Sequence, residues 1–130
     1  MMANDYNIFV KVMKLFLEFC QTELELDALP KITWLAGKVI ANNEQPSFGG
    51  FNPNTQTINI EILNRHPLDI SRTLAHELVH FKQHLNDELD HNSGETGSKH
   101  ENQANALAGI IMRKFGKRYP NLYKCKPIIK

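Results

Sequence analysis

At 130 residues, 42% apolar, 22% charged and with a net charge of +1, the chain has the composition of one soluble globular domain spanning residues 1–130. These values exclude a fibrous repeat, a disordered acidic or basic chain, and a global field strong enough to commit the whole surface to nucleic acid. Charge is nevertheless uneven. No acidic residue follows Glu101, whereas Arg113, Lys114, Lys117, Arg118, Lys124, Lys126 and Lys130 do, so residues 117–130 read as a basic surface tail. A solvated face is the first meaning of such a tail, and contact with nucleic acid or an acidic protein the second. Cys20 and Cys125 are too few for a disulfide framework. The N-terminus lacks a basic region followed by an apolar run, and nothing approaches about 18 consecutive apolar residues. A cytoplasmic protein with no membrane partner is expected, and its oligomeric state is not legible.

Ile8, Phe9, Val12, Leu15, Phe16 and Phe19 recur at helical spacing, with Asn4 or Asp5 as cap and Leu29-Pro30 as stop. Residues 31–40 are β-prone, and residues 41–48 read as a polar loop. The cluster Gly49-Gly50-Phe51-Asn52-Pro53-Asn54 predicts a turn between two extended segments, the second being residues 57–62 with apolar and polar side chains alternating. The expectation is an antiparallel hairpin whose second strand lies at an edge, with Thr57, Asn59 and Glu61 on its wet face. Trp34, Phe48 and Phe51 read as aromatics that anchor the core or its loops.

Pro67 suits the first turn of a helix, and Asp69 favours that end electrostatically. Leu74, Leu78, Phe81 and Leu85 give this helix an apolar face over residues 68–86. Residues 87–97 have almost nothing to bury and read as a polar loop. Ala104, Leu107, Ala108, Ile111, Met112 and Phe115 then mark a third helix, with Gly116 placed to end it. The whole predicts an α+β domain in which two successive helices pack together beside a small antiparallel sheet.

The chemistry centres on His76-Glu77-Leu78-Val79-His80. Positions four apart on a helix lie about 40° from one another and one turn along, so both imidazoles can reach one ion. Glu77 lies about 100° round from His76, close to that ion without being its ligand. Two imidazoles with an open position suit zinc, and a catalytic zinc needs a third protein ligand. Glu101 is the best candidate, at the start of the third helix, where Ala104 permits close approach and Asn105 can hydrogen-bond His76 or His80 from behind. Ser98 followed three residues later by Glu101 also spells a capping box, in which the carboxylate would serve backbone; a cap at Thr96 would release it. Glu95, His100 and His91 are the alternatives as ligands. His84 continues the stripe but lies about 6 Å further along the axis than His80.

This pattern resembles the gluzincin-type zincins, whose His-Glu-x-x-His helix is followed by one carrying Glu-x-x-x-Asp or Glu-x-x-Ala-Asn; here the second run is Glu101-Asn102-Gln103-Ala104-Asn105. The resemblance covers roughly residues 55–115 and is nearest to small members: SprT-like proteases, repressor-cleaving peptidases and the small metallopeptidases encoded by tailed phages. Gln83 and Asn86 stand where metzincins need glycine and histidine, which excludes that class. The resemblance implies a minimal zincin-like domain, zinc on His76, His80 and Glu101, Glu77 as general base, and an edge strand over residues 57–62 that aligns an extended polypeptide substrate. Asn105 departs from the family's aspartate. Candidate oxyanion donors are Tyr119, His100, Tyr123 and His91. Two rivals stand beside the enzyme: a zinc-pinned structural or binding protein without turnover, and a nucleic-acid-associated protein whose DNA affinity would be salt-dependent.

Overall fold

The computed structural model describes residues 2–35, 40–42, 45–47, 49–63, 65–86 and 99–120. They form α1 (Met2–Glu23), β1 (Lys31–Leu35), β2 (Ile40–Asn42), β3 (Gln45–Ser47), β4 (Gly49–Asn52), β5 (Thr57–Glu61), α2 (Pro67–Leu85) and α3 (Lys99–Arg118). The protein is α+β, as its periodicities predict. Among the described residues, no helix is long and apolar enough to cross a membrane.

The first helix stops well before Leu29-Pro30. Leu26 N–H donates to Gln21 O at 2.9 Å and Glu25 N–H to Thr22 O at 3.2 Å, while Glu25 takes a positive φ of 54°. This is a Schellman ending made without glycine, and buried Leu26 supplies its apolar contact. The helix also begins at Met2, so Asn4 and Asp5 lie inside its first turn rather than capping it.

The sheet corrects the expected hairpin. Its order is β1-β5-β4, with β5 parallel to β1 and antiparallel to β4. A parallel pairing needs a crossover of a dozen or more residues, which residues 36–56 provide. Part of the expected turn cluster is itself strand β4, and the turn proper is residues 53–56, where Asn52 Oδ1 accepts from Asn54 N–H at 2.9 Å. The expected loop over residues 41–48 contains the short antiparallel pair β2–β3.

In register, Ile32, Trp34, Ile58, Ile60, Gly49 and Phe51 share one sheet face. The helices cover that face: Phe9 of α1 meets Trp34 edge-on, and Phe81 of α2 meets Phe51. At Gly49 the sheet and α2 come so close that an added Cβ would collide with Thr73 Cγ2. Gly49→Ala is therefore expected to lower stability by about 1–3 kcal/mol, the usual penalty of overpacking. A urea titration should find part of that loss recovered by adding Thr73→Ser, which removes the offending methyl.

The link from β5 into α2 is fixed by Arg65. Its guanidinium donates to Glu61 O at 2.6 Å, Asp69 Oδ2 at 2.9 Å and Thr73 Oγ1 at 2.6 Å. His66 caps the helix, its Nδ1 accepting from Leu68 N–H at 3.0 Å, and Pro67 begins the helix where its missing donor is harmless. Helix α2 is thereby held at a defined angle to the sheet.

Candidate metal centre

Two faces of α2 have different tasks. Ile70, Leu74 and Leu78 are fully buried in the core, which turns His76 and His80 towards α3. There Ala104, Ala108, Ile111, Met112 and Phe115 form the buried stripe, and Phe115 packs edge-on against Phe16 of α1. Gln83 meets His100 and Gln103, His80 meets Glu101, and His76 meets Glu101 and Asn105. Since descending α2 corresponds to ascending α3, the pair is antiparallel. Ala104, with no side chain beyond Cβ, lies where the two helices approach.

His76 Nε2 lies 2.9 Å from Glu101 Oε1, and His80 Nε2 lies 3.0 Å from Glu101 Oε2. The two imidazoles meet edge-to-face with centroids 4.8 Å apart and planes at 80°. One ligand atom from each of His76, His80 and Glu101 falls within 4.8 Å of the others. A tetrahedral zinc at about 2.0–2.1 Å from each ligand needs ligand atoms about 3.4 Å apart. The present separations bracket that value, and the donor set of two nitrogens and a carboxylate is one zinc accepts. The side chains of His76, His80 and Glu101 are 18%, 10% and 19% exposed, so the cluster is sheltered but open on one side.

The surroundings set the protonation states. Burial pushes the pKa of His76 down, outweighing the opposing pull of Glu101 and of its hydrogen bond with Asn105, while His80 adds to the fall. A neutral imidazole is the form that ligates metal. Glu77 is 9% exposed, and burial raises its carboxyl from 4.5 to about 7; His80 opposes the rise and Glu101 adds to it.

This shift has a defined sign for stability. Between pH 4.5 and about 7 the folded metal-free protein keeps a proton on Glu77 that the unfolded chain has released, so folding weakens as pH rises through that window. The penalty is complete above it, at about 3 kcal/mol by the conversion of 1.36 kcal/mol per pKa unit. Metal-free Glu77→Gln is expected to be more stable than the wild type at pH 8 and indistinguishable in this respect at pH 4. Thermal melts in a chelator at the two pH values would show it.

No family model, curated protein or solved structure matches this chain. The arrangement of its own side chains is what bears on its chemistry.

That geometry brings together His76, Glu77, His80, Glu101 and Asn105. The expected substrate-aligning residues fare differently. Thr57, Asn59 and Glu61 lie on β5, the central strand, whose backbone is paired on both sides; it is no edge and cannot accept a peptide strand. Glu61 is also buried, at 3% exposure, with Oε1 accepting from Leu63 N–H at 3.4 Å. The reason is non-local: alternation reports that one face is wet, but not how many neighbours a strand has.

Tyr119 is excluded as an oxyanion donor. It follows the far end of α3, about 27 Å along the helix from Glu101 at 1.5 Å per residue. There it packs on Phe115, and its hydroxyl accepts from Arg118 Nε at 3.1 Å. His100 lies in the first turn of α3, where its backbone carbonyl accepts from Gln83 Nε2 at 3.1 Å. His84 does not join the cluster; its ring lies 5.6 Å from that of Phe51. His91, Glu95, Thr96, Ser98, Tyr123 and Phe48 lie outside the described residues, as do the polar loop and most of the basic tail. Upstream of that tail, Lys114 of α3 pairs with Glu23 of α1 at 2.8 Å.

The residue that sequence reasoning passed over is Gln83. It is 2% exposed, and its Oε1 lies 2.8 Å from His80 Nδ1. The available signal was its spacing: a polar side chain three positions after a candidate ligand lies on the same helix face.

Proposed function

We propose that this protein is a zinc-dependent peptidase that hydrolyses bonds in extended polypeptides, working in a reducing, cytoplasmic setting where the buried thiol of Cys20 stays free. The observation that carries this reading is the convergence of His76, His80 and Glu101 from two helices, with the buried carboxyl of Glu77 on the next position of the same turn.

His76, His80 and Glu101 would hold the ion. A zinc ion there supplies Lewis acidity, polarising a carbonyl and bringing the pKa of water towards about 7. Glu77 performs the proton transfers. Near neutral pH it is poised to take the proton of an attacking water and deliver it to the departing amine. Asn105 holds His76 in place through its hydrogen bond, and His100 is the candidate donor to the developing oxyanion.

The resemblance to gluzincin-type enzymes requires an edge strand for the substrate, and β4 is better placed than β5 for that role. It is an outer strand of the sheet and packs on α2 through Phe51, which meets Phe81 and His84. Beside Gly50 there is open space where a side chain would otherwise stand. An extended peptide adding to β4 would gain backbone hydrogen bonds.

The deciding experiment combines zinc titration of the metal-free protein with hydrolysis of an unfolded protein substrate. Stoichiometric zinc with chelator-sensitive cleavage supports the reading. Zinc binding with no cleavage of any unfolded substrate would move the assignment to a zinc-pinned structural protein.

A further inference from the structure

Gln83 is buried between α2 and α3, and each of its polar atoms has a partner. Nε2 donates to His100 O at 3.1 Å and to Gln103 Oε1 at 2.6 Å, while Oε1 meets His80 Nδ1 at 2.8 Å. A side-chain amide can in principle face either way, but a backbone carbonyl can only accept. His100 O therefore fixes the amide with its nitrogen towards α3. The oxygen must then face His80, and an oxygen facing Nδ1 requires the proton on that nitrogen.

The consequence passes through the ring to its other side. With Nδ1 protonated, the neutral imidazole presents its lone pair at Nε2, the atom 3.0 Å from Glu101 Oε2. Two acceptors facing one another at that distance repel unless a proton or a metal ion lies between them. The same amide also anchors the first turn of α3, the turn that delivers Glu101. One side chain thus sets the tautomer of a ligand from α2 and the position of a ligand from α3.

We infer that Gln83 is a positioning residue: it locks His80 as the Nδ1–H tautomer and couples that ligand to Glu101 by pinning the first turn of α3. The inference rests on the zinc site proposed above, yet its first half concerns the metal-free protein and stands or falls without zinc. Gln83→Met removes acceptor and donors at similar volume. Gln83→Glu keeps an acceptor for Nδ1–H and loses the donors to α3.

The test is nitrogen NMR of the imidazoles in the metal-free protein, at a pH where the rings are neutral, together with zinc affinity from chelator competition. In the wild type, His80 should carry its proton on Nδ1, and in Gln83→Met it should exchange between tautomers. Zinc affinity should fall 10- to 100-fold in Gln83→Met, the usual effect of losing such a partner, and be only partly restored in Gln83→Glu, which keeps the acceptor for Nδ1–H but not the donors that pin the turn carrying Glu101. A helix staple alone would lower the melting temperature of both variants and leave the affinity of the folded protein unchanged, which would overturn the inference. So would a wild-type His80 protonated at Nε2. If Gln83→Met does not fold, the wild-type tautomer and Gln83→Glu decide the matter. If the wild type binds no zinc, the site reading fails, and the tautomer alone decides the role of Gln83.

Discussion

Glu77→Gln is expected to lower peptide hydrolysis about 100- to 10,000-fold, the range general acid–base catalysis contributes, while zinc content stays at the wild-type level. Glutamine has the shape of glutamate but cannot accept and return a proton at neutral pH. The neighbouring imidazoles and Glu101 are untouched by the change, so the proposed metal ligands persist. In the metal-free protein the substitution should also relieve the burial of a titrating carboxyl whose pKa stands at about 7. The loss should therefore appear in kcat rather than KM, in a protein that is no less stable at pH 8. Retained hydrolysis in Glu77→Gln would remove Glu77 as the base and, with it, the mechanism proposed here.

The second large effect concerns Glu101. Its two carboxylate oxygens each meet one imidazole, so Glu101→Ala deletes the proposed third ligand and a side chain that bridges both histidines. Zinc at about 1,000 times its dissociation constant stabilises a folded protein by about 4 kcal/mol. If the substitution weakens zinc binding 100-fold, the remaining excess is tenfold and the stabilisation about 1.4 kcal/mol. The variant should therefore lose about 2.7 kcal/mol of zinc-dependent stability, which for a chain of this size is about 10 °C in Tm. Melts with zinc and with a chelator separate this from any metal-independent effect. An unchanged zinc shift in Glu101→Ala would point to a different third ligand, with His91 and Glu95 the first to test.

Both expectations depend on α2 and α3 meeting in one particular way, and different parts of that meeting were readable in advance. The placement of His76, Glu77 and His80 on one helix face is local geometry, since 3.6 residues per turn relate neighbouring positions without reference to the rest of the chain. The same holds for the apolar stripes of α2 and α3 and for Pro67 at the helix start. Boundaries set by backbone conformation were less legible: the first helix ends at a positive φ on Glu25, and nothing about a glutamate advertises that geometry. Helix α3 likewise runs past Gly116 to Arg118, because a glycine permits an ending without imposing one.

An α+β chain with two imidazoles and a carboxyl on one helical surface follows from local relations alone, because those relations repeat within a few residues. The direction in which Glu101 points was set by packing, since a position in the first turn of α3 serves a cap or a neighbour equally well until that neighbour is in place. The structure also put β5 between two strands, moved Tyr119 to the far end of α3, and disclosed Gln83 as the partner of His80. Each of these depends on residues brought together from distant parts of the chain. Periodicity records which face of an element is buried, and packing alone determines what it is buried against.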